Sequence, residues 1–176
     1  YKEGCPETEI AYMGCRTRVI GNINDRDREI TLGRGNLSFS SINLPRLAIN
    51  ANKNIDWFFD ELERKVNLVM AQLLDRLKIQ SQKLVRNYPF LMGQNIWIGS
   101  EDLGKDDSVA EVLKHGTLTV GFIGLAEALV ALTGKHHGES EQSQRLGLEI
   151  VGFMRKLVDA AAVKYGLNFS LIGTPA

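Results

Sequence analysis

The stretch that decides the fold is residues 117–134, TLTVGFIGLAEALVALTG. Its first half, TLTVGFIG, is a short apolar run that reads as a buried strand. LAEALVALTG then reads as a helix and is closed by Gly134, a helix-stop residue. The same alternation continues outward in both directions. Downstream, a long helix is predicted across 140–165 with Ser140 as its cap, and NFSLIG (168–173) as a final strand. Gly147 and Gly152 inside that helix each cost up to about 1 kcal/mol relative to Ala, a cost that close packing would offset. Upstream, 108–114 reads as a helix with Ser108 as cap and Gly116 as stop, and NIWIG (95–99) as a short strand.

Residues 55–87 predict the clearest helix. Ile55, Phe58, Phe59, Leu62, Val66, Val69, Met70, Leu73 and Leu77 follow three- and four-residue steps and form one apolar stripe. Asn54 or Asp56 is placed to cap its start, and Pro89 to mark its end. EITL (29–32) and NLSFSSINL (36–44) read as short strands separated by GRG, and the imperfect alternation of the second suits a strand covered on both faces. Before them, Gly4, Pro6, Gly14, Gly21 and the run NINDRDRE read as loop. Strands alternating with helices argue for an α/β fold with mainly parallel pairing, divided into a loop region over 1–28 and the strands and helices of 29–176.

With 176 residues, 44% hydrophobic and 24% charged, the chain can bury a core without disulfide staples. Its formal net charge of zero gives no long-range pull toward nucleic acid or an acidic membrane. No apolar run is long enough to span a bilayer, and YKEGCPETEI has no signal-like apolar region, so a cytoplasmic setting is expected. The chain is also expected to be a piece of a longer polypeptide, since it opens without methionine and stops directly after an apolar run.

Two cysteines are too few for a disulfide framework, and four-ligand zinc spacing is absent. Cys5, beside Pro6, reads as an ordinary loop residue, and a Cys5–Cys15 bridge is disfavoured in a reducing compartment. Cys15 stands in YMGCRTRV. Its bland reading is a small buried hydrophobe. Against that, Gly14 permits a close backbone approach, and Arg16 and Arg18 favour a thiolate. Composition leaves open whether its chemistry is ionic or radical. His136 and His137 are adjacent and share no helix face, so they read as a solvated loop; His115, at a helix C-terminus where a cation is favourable, reads as structural, with facing a ligand as the lesser alternative. Asn36 offers an amide that both donates and accepts, although a turn or strand-start asparagine is the commoner reason for such a residue. Neither GRGN nor TGKHHGES has the spacing of a nucleotide-phosphate loop.

MGCRT (13–17), GRGNLSFSSINLPRLAI (33–49), HGTLTVGFIGLAEAL (115–129) and NFSLIGTPA (168–176), in this order and at these separations, together resemble the catalytic domain of the anaerobic (class III) ribonucleoside-triphosphate reductases. The resemblance covers almost the whole chain. It implies a glycyl radical enzyme built on a ten-stranded α/β barrel, of which this chain would be one part. It implies an oxidoreductase that reduces ribonucleoside triphosphates to deoxyribonucleoside triphosphates, for DNA synthesis and repair. Cys15 resembles the family's thiyl-radical cysteine, which abstracts the ribose 3′ hydrogen. Asn36 resembles the active-site asparagine that contacts substrate hydroxyls, and Thr174 the segment that meets the nucleotide phosphates. The cofactor implied is a glycyl radical, installed by a radical S-adenosylmethionine activating enzyme. That radical, a zinc site, an upstream catalytic cysteine and a nucleotide-effector region are all expected outside these residues. A homodimer is expected, and the piece alone should be inactive. The alternatives are another glycyl radical enzyme and a non-catalytic α/β module whose cysteine is core.

Overall fold

The computed structural model of the protein describes residues 12–13, 17–18, 21–27 and 32–174. Two short strands, β1 (Tyr12–Met13) and β2 (Thr17–Arg18), pair antiparallel with Met13 opposite Thr17. They are followed by β3 (Asn36–Asn43), α1 (Leu44–Ala51), α2 (Ile55–Ser81), α3 (Ala110–Leu113), β4 (Thr117–Ile123), α4 (Leu125–Thr133), α5 (Glu141–Tyr165) and β5 (Asn168–Gly173). β3, β4 and β5 form a parallel three-stranded sheet in the order β3-β4-β5. The α/β expectation therefore holds, with β4 and α4 standing where 117–134 predicted them.

The chain divides into two compact units. The first comprises the described residues up to Ser38, Leu73–Leu118 and Tyr165–Asn168. Its core gathers Val85, Met92, Trp97, Ile98, Val109, Val112 and Leu113, with Leu37, Leu77, Tyr88 and Leu103 around them. Most of these lie on irregular backbone between α2 and α3, so specific hydrogen bonds replace helical ones. Trp97 Nε1 donates to Val112 O at 2.8 Å, Ile98 N to Gly33 O at 2.8 Å, and Val85 N to Asp107 O at 3.0 Å.

The second unit comprises Phe39–Gln72, Thr119–Lys164 and the described residues from Phe169. It buries Phe58, Leu62 and Val66 of α2, Leu129 of α4, and Ile150, Met154 and Val158 of α5. Each such side chain contributes about 1.5–3 kcal/mol of burial. Phe59 and Phe153 meet edge to face with centroids 5.2 Å apart. Gly147 has its packing reason: a Cβ there would stand 3.2 Å from Leu129 Cδ1. Gly152 does not, since nothing lies within 4 Å of a Cβ built there.

Several boundaries differ from the sequence reading. The predicted helix over 55–87 stops at Ser81, upstream of Pro89, because the backbone of Val85 and Arg86 turns to donate to Asp107 O and Lys105 O. NIWIG is not a strand; it is a run of turns that buries Trp97 and Ile98 in the first core. The helix predicted over 108–114 shortens to Ala110–Leu113, although Ser108 Oγ does accept from Ala110 N at 3.2 Å. The strand predicted over 36–44 ends at Asn43, whose side chain accepts from Arg46 N at 3.0 Å and starts the helix α1 with Pro45 in its first turn. Of EITL, residues 29–31 lie outside the described residues and Leu32 is in a turn. Asn54 and Ser140 are caps as predicted: Asn54 Oδ1 accepts from Trp57 N at 3.0 Å, and Ser140 Oγ from Ser143 N at 3.1 Å.

Candidate functional site

Of the residues singled out above, Cys15 and Cys5 lie outside the described residues; in sequence, Cys15 falls between β1 and β2. Asn36 is the first residue of β3 and its side chain is exposed. It is carried on backbone held from both sides: Ile98 N donates to Gly33 O at 2.8 Å, and Thr117 N to Gly35 O at 3.0 Å. Farther along β3 the face toward α2 is tied down polar group by polar group. In the first unit Arg76 Nη1 donates to Ser38 Oγ at 2.9 Å, and in the second Ser40 Oγ donates to Gln72 Oε1 at 2.7 Å.

Thr174 follows β5 in the second unit, and its N–H donates to Phe122 O at 2.8 Å, extending the β4–β5 pairing by one step. Its Oγ1 lies 2.7 Å from Ser41 Oγ. Ser41 stands on β3 and Thr174 after β5, so this bond passes over the central strand. Gly121 of β4 makes that possible, because a Cβ there would overlap both Ser41 Oγ and Thr174 Oγ1. Between the neighbouring strands β4 and β5, Thr119 Oγ1 and Ser170 Oγ are 2.9 Å apart. The result is a patch of uncharged hydroxyls whose outer member, Ser41, is exposed. Each hydroxyl can donate or accept, so the Ser41–Thr174 bond can be exchanged for bonds to a ligand oxygen. Neither Ser41 nor Gly121 was singled out from sequence. The available signal was Gly121 itself, since a glycine inside a strand marks a close approach.

A second polar cluster, in the first unit, is built of amides. Asn168 opens β5 and is 7% exposed; Asn22, in the loop after β2, is 3% exposed. Asn168 Nδ2 donates to Asn22 Oδ1 at 3.0 Å and its Oδ1 accepts from Ile23 N at 2.9 Å. Asn22 Oδ1 also accepts from Asn24 N at 3.2 Å, which fixes the orientation of its amide. Its Nδ2 therefore donates to His115 Nδ1 at 3.0 Å. In that bond Nδ1 of His115 is the acceptor. Arg34, 9% exposed, donates from Nε to His115 O at 2.9 Å and from Nη2 to Gly21 O at 3.0 Å. Burial lowers the Arg34 pKa, and Asp25 acts in the opposite direction. His136 and His137 lie in the loop between α4 and α5, with His136 Nε2 3.4 Å from Glu139 Oε2. Among the described residues no group of three or more His, Cys, Asp or Glu is placed to hold a metal ion. Nor is any helix among them long and apolar enough to cross a membrane.

Comparison with known proteins gives a consistent result. The family model for anaerobic ribonucleoside-triphosphate reductase matches residues 2–176. The Salmonella typhimurium anaerobic ribonucleoside-triphosphate reductase is 33% identical over 167 residues, covering 93% of this chain and 23% of that protein. The enzyme of the same name from enterobacteria phage T4 is 27% identical over 173 residues, covering 95% of this chain and 27% of that protein. Among solved structures, the Thermotoga maritima anaerobic ribonucleotide reductase with glycerol in the active site superimposes with a TM-score of 0.67 at 14% identity, over 93% of this chain and 23% of that one. Its complex with dATP and CTP gives 0.62 at 15% identity, over 95% and 24%. The chain thus spans about a quarter of the length of the relatives it matches.

Proposed function

This chain belongs to the anaerobic ribonucleoside-triphosphate reductase family, and on that footing we propose that it supplies part of the substrate-reducing site of such an enzyme. The observation that carries the proposal is the family match over residues 2–176, which includes Cys15, Asn36 and Thr174. In this reading the three parallel strands are a section of a ten-stranded barrel wall. The Cys15 thiol, once in its radical form, forms an S–H bond as the ribose C3′–H bond breaks. Asn36, exposed at the start of a strand pinned on both sides, binds substrate hydroxyls with its amide. Thr174 contacts the phosphates, and the exposed Ser41 hydroxyl bonded to it belongs to the same subsite.

The glycyl radical supplies the unpaired electron from a part of the enzyme beyond this chain, installed there by a radical S-adenosylmethionine activating enzyme. None of the described residues is assigned to it or to zinc. The full enzyme takes ribonucleoside triphosphates as substrates, responds to nucleotide effectors bound elsewhere, and works as a cytoplasmic homodimer. The Thermotoga maritima structure that holds dATP and CTP supports the choice of nucleotide ligands.

The test uses the full-length enzyme. Cys15→Ala should abolish deoxynucleotide formation under anaerobic conditions with the glycyl radical signal retained, and Asn36→Ala should lower turnover with the same signal retained. Turnover by Cys15→Ala would remove the radical role.

A further inference from the structure

Asn36 opens β3 between two backbone carbonyls that are each tied to a neighbouring element. On one side, Gly35 O accepts from Thr117 N, at the start of β4, at 3.0 Å. On the other, Leu37 O accepts from a side chain: Gln80 Nε2, in the last turn of α2, donates to it at 3.2 Å. One helical turn before Gln80, Arg76 Nη1 donates to Ser38 Oγ at 2.9 Å. All of these residues belong to the first unit.

Gln80 is half-buried, and the second atom of its amide, Oε1, is buried with no hydrogen-bond partner among the described residues. A buried polar atom without a partner costs stability, and a leucine or methionine would fill the position without that cost. What the amide supplies and an apolar side chain does not is a bond of fixed direction to the β3 backbone. Gly35 O lies on the peptide that enters Asn36, and Leu37 O on the peptide one residue beyond it. Peptide units are rigid planes, so a strand held at both of these points has little freedom to twist between them. The direction in which the Asn36 side chain leaves the strand is thereby set. An amide that grips substrate hydroxyls must be aimed closely, since a misplacement of about 1 Å can cost about a hundredfold in rate.

We propose that Gln80 is a positioning residue for Asn36, acting through the Leu37 carbonyl. The proposal rests on the reading of Asn36 as a contact to substrate hydroxyls. It assigns Gln80 no contact with substrate.

The test is a double-mutant cycle in the full-length enzyme, with Gln80→Leu, Asn36→Ala and the two combined. For each, the glycyl radical is quantified by electron paramagnetic resonance and turnover is expressed per radical. Gln80→Leu should lower turnover per radical by about tenfold. Radical yield and thermal midpoint should stay close to wild type, because removal of the unpartnered oxygen offsets loss of the bond to Leu37 O. In the Asn36→Ala background the same substitution should change turnover little, because the group it aims is gone. Unchanged turnover per radical in Gln80→Leu is the behaviour of a purely structural residue and overturns the proposal, whatever the thermal midpoint does. Effects that multiply in the double variant also overturn it, because Gln80 then acts on something other than Asn36. If Gln80→Leu is insoluble, Gln80→Met, unbranched like glutamine, takes its place in the cycle. Wild-type turnover per radical in Asn36→Ala overturns the reading of Asn36 instead, whatever the Gln80 variants do.

Discussion

The amide cluster around Asn22 and Asn168 and the hydroxyl patch around Ser41 and Thr174 are both polar, and they differ in what their bonds can do. In the first, buried carboxamides are committed to backbone groups and to one another, with Asn168 alone serving Asn22, Ile23, Lys114 and Gly116. In the second, an exposed serine and a threonine hold each other across a glycine. A buried polar group stripped of its partner costs about 1–3 kcal/mol, whereas an exposed hydroxyl exchanges its partner for water at little cost. The first arrangement therefore holds structure in place, and the second is free to meet a ligand.

That contrast breaks if the two regions respond alike to truncation. The largest stability effect is expected for Asn168→Ala, which leaves the Ile23 N–H and the Lys114 and Gly116 carbonyls short of partners. A loss of about 3 kcal/mol, seen as a lowered thermal midpoint of the full-length protein, follows from the cost of those groups. Gly121→Val comes next. Its branched side chain drives Ser41 and Thr174 apart, and overpacking of this kind costs about 1–3 kcal/mol. Its distinguishing result is a raised KM for the ribonucleoside triphosphate, because the proposed phosphate subsite is displaced. Ser41→Ala sharpens the comparison from the other side. Stability should change by no more than about 0.5 kcal/mol, while KM rises a few-fold in steady-state assays. A drop in the thermal midpoint matching that of Asn168→Ala would show that the hydroxyl pair is structural after all.

The sequence was legible where one strong pattern covered a whole element. The apolar run and stop glycine of 117–134 give β4 and α4, and the stripe from Ile55 to Leu77 gives α2. It was illegible where a local pattern met a distant partner. Trp97 and Ile98 look like strand residues, but the nearby helix α3 and the loop carbonyl of Gly33 claim their neighbourhood. Leu44 continues an apolar strand by composition; only Asn43 followed by Pro45 signals that a helix begins there. The candidate site divides the same way. Cys15, Asn36 and Thr174 were marked by motifs, whereas Asn22 and Asn168 are 146 positions apart and each alone looks like a turn or strand-end asparagine. Ser41 lies among other serines in SFSS, with nothing nearby to single it out.

The bond over Gly121 also bears on curvature. Neighbouring strands lie about 4.8 Å apart, so the outer two strands of a flat three-stranded sheet stand about 9.6 Å apart. A short side chain on β3 and another just past the end of β5 cannot bring their hydroxyls to 2.7 Å unless the backbone on the two sides bends toward the middle strand there. Gly121 leaves room for that bend by presenting no side chain at its inner apex. The backbone is thus concave toward the hydroxyls at this point.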